Sequence, residues 1–459
     1  MNRRLVAGIM AGLIMTSSLT GCSGYDKSAG NTAKTENEEE ISVSNNVTAA
    51  EGRILTGAAG YEKNGTKKAL IACSIKDKGF AVLDKETGRE EFRGRIRYED
   101  KPSPDGKLCG ICDFSSFDKG GSFYLQTDSG VCSDEFTVKE GLYKRLLEER
   151  TVGPAGSEPV QGRIDKDNIG KCFLEITDAV LAQEFFGNQS SGDNKTEVPE
   201  SIEASKKQIA ALQALINEKG EMDSSISDDI GICFGYSAVM SLFAYEYGQY
   251  DKKYADECKA LAETSYKYAL ETYDKVSESD RKAVDDKLFW ASAQLYKLTG
   301  KAAYKETAES YAKDPPEGFS EKRSGYLGTI AYLTCYNKID LDTGEMFITE
   351  LMEDINRVIK RGSVDVFLTA SEEDGEEERV CEAFETARLM VLGNYITKNI
   401  KYLETAESYL SYLYGMNMLG KDYAYESDAV YFSQPQTFIL AGLIDSYIYE
   451  DKQPEAMER

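Results

Sequence analysis

The chain has few groups that can move a proton. Its 459 residues include no histidine. That removes the Ser-His-Asp triad, the Cys-His dyad, every His-ligated zinc or iron site and the usual general base near neutral pH. Acid–base chemistry falls to carboxylates, tyrosines, lysines or cysteines. Carboxylates dominate, with 79 Asp plus Glu against 54 Lys plus Arg, a net charge of −25. This balance excludes nucleic acid as a partner, because its binding needs a basic footprint. It also argues against an anionic membrane surface as the main ligand. Besides Cys22 there are nine cysteines, an odd number, so at least one is free or pairs between chains. Cys109 and Cys112 form a lone CxxC with no second ligand pair and no thioredoxin-like surroundings, which reads as two cysteines of a strand.

The elements that must position this chemistry fall into four stretches. Residues 1–21 read as a lipoprotein signal peptide: Arg3 and Arg4 precede an apolar run, Leu5 to Met15, too short to span a bilayer. It ends in Leu19-Thr20-Gly21-Cys22, which resembles the bacterial lipobox, whose Cys thiol receives lipid. Cleavage there would remove both arginines and take the charge from −25 to −27. Residues 22–50 are small, polar and acidic, the composition of a disordered leash. The expected location is therefore extracytoplasmic, lipid-anchored to the bacterial membrane through Cys22. Over 51–140 the pattern is short and alternating. Strands are predicted at 68–73, 80–83, 92–98, 108–114, 122–126 and 135–138, with turn signals such as Asn64-Gly65 and Thr87-Gly88 between them, which indicates a β-sandwich.

Over 150–459 the period becomes helical, with eleven amphipathic stretches joined as hairpins. An octapeptide, Tyr-x-Glu-Thr-Ala-Glu-Ser-Tyr, recurs at 304–311 and 402–409. Repeated helix pairs permit an open solenoid or a closed toroid, and their irregularity favours closure.

Several segments resemble glycoside hydrolase family 9, the cellulase-type endoglucanases that carry an N-terminal immunoglobulin-like domain. Gly60-Tyr61 with Lys68 to Ile71, Phe80 to Asp84 with Thr87-Gly88, and Asp113 to Phe117 with Gly121 to Leu125 resemble the β half. Asp286 to Tyr296 with Thr299-Gly300, Tyr250-Asp251, Tyr254-Ala255 with Cys258, and Tyr412 to Gly420 resemble the helical half. The resemblance implies an immunoglobulin-like β-sandwich followed by an (α/α)6 toroid, so that twelve helices are expected. It also implies a polysaccharide ligand of β-glucan type.

The likeness changes where the chemistry should be. The family's early Asp-Ala-Gly-Asp motif, whose second Asp is the general base, matches Asp165-Lys166-Asp167-Asn168, so Asn168 stands at the base. An amide cannot take a proton from water. The family's general acid matches Ser427, in Glu426-Ser427-Asp428, and the substrate loop with its histidines is missing. An active enzyme would have to recruit Asp165 or Asp167 as base and Glu426 or Asp428 as acid. A one-residue shift re-aims a side chain by about 100° on a helix. The favoured reading is therefore a catalytically degenerate glycan-binding lipoprotein. Tyr236, Trp290, Tyr326, Tyr423 and Tyr425 are its candidate stacking residues, weighed against plain packing. The alternatives are an endo-glycosidase using the displaced carboxylates and a surface protein-interaction module. No cofactor is called for, and carboxylate-rich loops leave calcium open.

Overall fold

Alternating residues between 54 and 139 fold as eight strands. The computed structural model describes residues 53–99, 103, 107–151, 164–166, 168–187, 197–219, 221–223, 226, 229–312, 323–362, 366, 376–417, 419–423 and 436–450. The strands are β1 (Ile54–Leu55), β2 (Tyr61–Glu62), β3 (Lys68–Ala72), β4 (Gly79–Asp84), β5 (Glu90–Tyr98), β6 (Leu108–Asp113), β7 (Gly121–Thr127) and β8 (Phe136–Lys139). Their order is β1-β3-β6-β5-β4-β7-β8-β2. The long β5 belongs to both layers of the sandwich. Its first part pairs with β4, and Ile96 to Tyr98 pair with β6. Near the end of the β4-paired part, Gly94 lies under the Phe80 ring, where a Cβ would come within 2.4 Å of Cζ. Alternation then sorts the faces. Phe123 and Leu125 of β7 and Phe136 and Val138 of β8 point inward, joining Tyr61, Phe114 and Phe117 in an aromatic core. Cys109 and Cys112 both lie in β6 as buried free thiols, as the lone CxxC implied.

The helices are α1 (Leu142–Thr151), α2 (Ile169–Phe186), α3 (Glu200–Gln213), α4 (Ile230–Tyr247), α5 (Lys252–Tyr273), the short α6 (Glu278–Lys282), α7 (Asp285–Thr299), α8 (Ala302–Ser310), α9 (Arg323–Leu333), α10 (Leu341–Gly362), α11 (Glu376–Thr397), α12 (Ile400–Leu413) and α13 (Thr437–Glu450). An inner ring runs α2–α4–α7–α9–α11–α13 and closes from α13 onto α2. Outside it, α3, α5, α8, α10 and α12 each pack on the inner helix that precedes them, and α1 packs on α13. This is a six-hairpin toroid, closed rather than superhelical. The burial follows the sequence. The inner α4 is apolar nearly all round, whereas the outer α5 buries one stripe, Ala255, Cys258, Ala262, Tyr266 and Ala269. Asp229, Asp251 and Asn399 cap the starts of α4, α5 and α12. Gly300, at φ +70°, ends α7, and the Asn337 amide donates to the carbonyls of Tyr296 and Lys297. Among the described residues no helix is long and apolar enough to cross a membrane.

The twelfth full helix, absent from the eleven amphipathic stretches, is α1. Its apolar face is small, Leu142, Tyr143 and Leu146, and its cap comes from another domain. The Glu62 carboxylate of β2 accepts the N–H groups of Gly141 (3.1 Å) and Leu142 (2.8 Å). A helix start capped from some 80 residues away leaves no local pattern. The same junction holds Lys67, wholly buried, whose ammonium donates to the carbonyls of Lys63 (2.7 Å) and Gly65 (2.8 Å), and an Ala58 N–H to Tyr414 carbonyl bond of 2.8 Å.

Candidate functional site

The inner helices all point one way. Glu184, Tyr245 and Lys297, in the last turns of α2, α4 and α7, meet Thr334, the residue after α9. The starts of the inner helices therefore gather at the opposite end, where Asn168 precedes α2. Here Asp165 and Asn168 form a reciprocal pair. The Asn168 Oδ1 accepts the Asp165 N–H at 2.9 Å, and the Asp165 Oδ1 accepts the Asn168 N–H at 3.2 Å. Asn168 itself (φ −118°, ψ −10°) makes no side-chain cap to α2. The amide thus closes the turn before the helix. Cys22, Asp167, Tyr425, Glu426, Ser427 and Asp428 lie outside the described residues.

The four described stacking candidates are all buried, and each has a packing role in place of an open face. Tyr236 is fully buried on α4. Burial, then Cys258 and Tyr254 of the outer α5, raise its hydroxyl pKa, so it lies between the two rings. Trp290 is buried in the second turn of α7. Tyr423 packs near the Tyr412 ring, its N–H on the Leu413 carbonyl. Tyr326 does face the toroid interior, but its ring is buried, and its hydroxyl donates to Glu385 at 2.8 Å. Stacking on a sugar needs an accessible ring face, and none of these four offers one.

What sequence reading missed is a charged network on the toroid axis. Arg388 of α11 donates through Nε to Asp178 of α2 (3.0 Å) and through Nη1 to Glu385 (3.0 Å). The other Asp178 oxygen accepts the Phe438 N–H at the start of α13 (3.1 Å). Burial opposes the guanidinium charge, but Glu385 and Asp178 outweigh it and raise the Arg388 pKa. Beside the network, Leu174, Thr177, Tyr326 and Leu392 help line a cavity of about 20 Å³, enough for about one water. The available signal was a charge directly before an apolar run: Asp178 before Ala179-Val180-Leu181-Ala182, and Arg388 before Leu389-Met390-Val391-Leu392. A second buried pair closes the far end, where Lys297 donates to Glu184 and, at 2.8 Å, to Thr334, with Tyr245 stacked under its ammonium. The C-terminal ends of α2, α4, α7 and α9, which meet at this point, favour a cation there. Among the described residues no cluster of three or more acidic or cysteine side chains could hold a metal ion.

The sequence profile of glycosyl hydrolase family 9 matches residues 216–454. The chain belongs to that family. The profile of the cellulase N-terminal ig-like domain matches residues 49–131. Solved structures similar to this family 9 chain include three. A metagenome-derived glycoside hydrolase family 9 endoglucanase is 16% identical, with a TM-score of 0.65, over 81% of this chain and 84% of that one. A family 9 protein of Bacteroides ovatus is 17% identical, TM-score 0.64, over 81% and 86%. A single-substitution variant of a thermostable endoglucanase from Alicyclobacillus acidocaldarius is 16% identical, TM-score 0.63, over 81% and 84%. At these identities the likeness establishes the fold, the toroid with its sandwich. A search of curated protein sequences found no match.

Proposed function

We propose that this family 9 protein is a glycan-binding lipoprotein that has lost hydrolytic chemistry, held outside the cell by lipid on Cys22, with a β-glucan or related polysaccharide as its ligand. One observation carries the loss of chemistry. The position that the family resemblance assigns to the general base is Asn168, and its amide oxygen is engaged by the Asp165 N–H at the turn into α2. Inverting hydrolysis needs a carboxylate to activate water and a carboxylic acid to protonate the leaving oxygen, about 6.5–9.5 Å apart. An amide does neither, and Ser427 at the acid position is far too weak an acid. Asp165 keeps a carboxylate nearby, but its Oδ1 accepts the Asn168 N–H, which aims it at the backbone.

The test uses the full chain in detergent. Reducing-sugar release from β-1,4-glucans should stay near background while the protein is retarded in gels containing a soluble β-glucan. Positioned acid–base groups contribute about 10²–10⁴-fold in rate, so Asn168→Asp with Ser427→Glu should restore only a fraction without the substrate loop. Hydrolysis by the unmodified protein that Asp165→Ala or Glu426→Ala abolishes would show that displaced carboxylates act, and would overturn the silent reading. For the anchor, Cys22→Ala should release the protein from membranes, and unchanged retention would count against lipidation.

A further inference from the structure

The ion pair that closes the far end of the toroid uses only half of its carboxylate. Glu184 Oε1 accepts the Lys297 ammonium, and the Glu184 side chain is 2% exposed, yet its Oε2 has no hydrogen-bond partner among the described residues. A buried charged acceptor left unmet is costly. Lys297 shows what this end of the molecule accepts. Three kinds of group hold its ammonium: a carboxylate oxygen, the Thr334 hydroxyl at 2.8 Å and the face of the Tyr245 ring, 4.6 Å away. The ends of α2, α4, α7 and α9 add carbonyl dipoles, which favour positive charge. Beside this set stand a second carboxylate and a second ring. Glu246, half-buried in the last turn of α4, lies within the field of Glu184, and Lys297 is the lysine that offsets it. Tyr336, after α9, is 58% exposed. Burial and then the Glu184 charge raise its hydroxyl pKa, and Tyr245 feels Glu184 and Tyr336 together. With Glu246 ionised, two carboxylates therefore share one lysine next to an accessible tyrosine ring.

We propose that the far end of the toroid binds a primary ammonium group, carried by an amino sugar or a polyamine, through Glu184 Oε2 and the Glu246 carboxylate, with the Tyr336 ring beside them. The site lies at the opposite end from Asn168 and does not depend on the glycan-binding reading. An ammonium has three donors and no acceptor, so it can meet two carboxylate oxygens at once. It is also a compact charge on a thin stem, suited to a buried oxygen that a sugar ring could not reach. A proton is the competitor. Burial first and the Glu184 charge second push the Glu246 carboxyl up to about 7, against Lys297 and the Gln249 amide. An arriving cation favours the carboxylate, so binding expels that proton: the Glu246 carboxylic acid and the free ammonium become an ion pair, and H⁺ passes to the buffer. Glu184 of α2, Lys297 of α7 and Gln249 act on Glu246, and its charge is felt by Tyr245 and Tyr250. Cys335 and Tyr336 act on Tyr245 in turn.

The experiment titrates the full chain, in non-ionic detergent, with spermidine, with a glucosamine oligomer and with a glucose oligomer of the same length, by isothermal calorimetry. At pH 8 at least one amine should bind and the glucose oligomer should not. Spermidine stays charged across the range, and its binding should weaken about tenfold at pH 5.5, where Glu246 keeps its proton. At pH 7, runs in two buffers of different ionisation enthalpy should show roughly half a proton released per ligand. Glu246→Gln should weaken binding about tenfold, the scale of a hydrogen bond to a charged group, and should abolish the release. Tyr336→Ala, a surface change, should weaken binding about threefold, the scale of an exposed cation–π contact, with the release intact. Glu86→Gln, an exposed carboxylate of the sandwich, is the control for overall charge and should change neither. If Glu246→Gln does not fold, Tyr336→Ala still decides. Tighter binding of the glucosamine oligomer names a sugar amine as the source and tighter binding of spermidine names a polyamine, and either supports the site. No amine binding at pH 8, equal binding of the glucose oligomer, or amine binding unaltered in a folded Glu246→Gln or Tyr336→Ala protein overturns the inference.

Discussion

The octapeptide Tyr-x-Glu-Thr-Ala-Glu-Ser-Tyr occurs in α8 and again in α12, and the toroid uses the two copies alike up to one point. In both, the central alanine, Ala308 or Ala406, is fully buried. In both, the first tyrosine reaches back to the preceding outer helix: Tyr304 donates to Glu263 of α5 at 3.1 Å, and Tyr402 to Asn356 of α10 at 3.1 Å. In both, the second glutamate accepts a tyrosine hydroxyl from the next inner helix, Glu309 from Tyr332 (2.5 Å) and Glu407 from Tyr447. There the copies part. Glu309 also pairs with Lys305 at 3.3 Å and is about a quarter exposed. Glu407 is buried, and it accepts the Tyr143 hydroxyl of α1 at 2.7 Å and the Thr66 N–H of the sandwich at 2.9 Å. One staple thus serves an ordinary ring position and also the ring closure, where it joins a second domain. The difference lies in the neighbours and not in the eight residues.

Glu407→Ala should break the comparison most severely. It would take this acceptor from one buried donor, Tyr143, and two half-buried ones, Tyr447 and Thr66. Each unsatisfied donor costs about 1–3 kcal/mol, and neighbouring losses do not simply add, so a total of about 4 kcal/mol is expected. Trp290, the one tryptophan, reports on the toroid alone. In urea, its fluorescence should part from the far-ultraviolet circular dichroism, which follows both domains. Coincident transitions at the unmodified midpoint would show that Glu407 does not couple the two.

Glu309→Ala tests the other half of the comparison. It removes one tyrosine acceptor and a partly exposed ion pair, for which about 2 kcal/mol is expected, with the two spectroscopic transitions still coincident. A loss equal to that of Glu407→Ala would mean that the extra partners of Glu407 contribute little. Gly65→Ala probes the junction without replacing either glutamate. Its Cβ would stand 2.7 Å from Glu407 Oε1 and 2.9 Å from the Tyr447 hydroxyl. Overpacking of this kind costs about 1–3 kcal/mol. Because the glutamate can swing slightly, the lower half of that range is expected, read as a shift of the urea midpoint.

The repeat shows what a sequence can and cannot carry. The octapeptide and its helical face, Tyr304, Ala308 and Tyr311, are visible as spacing, and so are the strands at 68–138. Their alternation is imposed by the same inward and outward faces that the structure shows. Three things were not visible, for one shared reason: each is made by partners distant in the chain. Helix α1 takes its cap from Glu62. Glu407 becomes a junction only because Thr66 folds back on it. Arg388 becomes part of a buried charged network only when Asp178, 210 residues earlier, arrives on the axis. Burial of the stacking candidates has the opposite origin. Tyr236 and Trp290 have the right chemistry for sugar, but a ring on an inner helix gains more by burial between helices than by facing water, and Tyr423, in the loop after α12, is buried near the Tyr412 ring.

The smallest expected effect comes from a carboxylate that lacks the arrangement both staples share. Glu246, in the last turn of α4, sits near Glu184 instead of beneath tyrosine hydroxyls. Burial first and the Glu184 charge second raise its pKa from the ordinary 4.5 to about 7, against Lys297 and the Gln249 amide, which pull it down. The groups acting on it are Glu184 of α2, Lys297 of α7 and Gln249 after its own helix, and its neighbour Tyr245 feels Glu184, Cys335, Tyr336 and Glu246 itself. The sign follows from linkage. A carboxyl with a raised folded-state pKa binds its proton more tightly when folded, so its contribution is fully present below about pH 4.5 and is lost as pH rises through about 7. Glu246→Gln mimics the protonated state. It should leave stability at pH 4.5 unchanged and raise it at pH 8. The full shift sets an upper bound of about 3 kcal/mol, and partial exposure should leave about 1. Thermal melts at the two pH values decide it. A gain at pH 8 that is absent at pH 4.5 supports the assignment. An equal change at both, of either sign, would mean that the substitution acts through packing and that Glu246 carries no penalty at neutral pH.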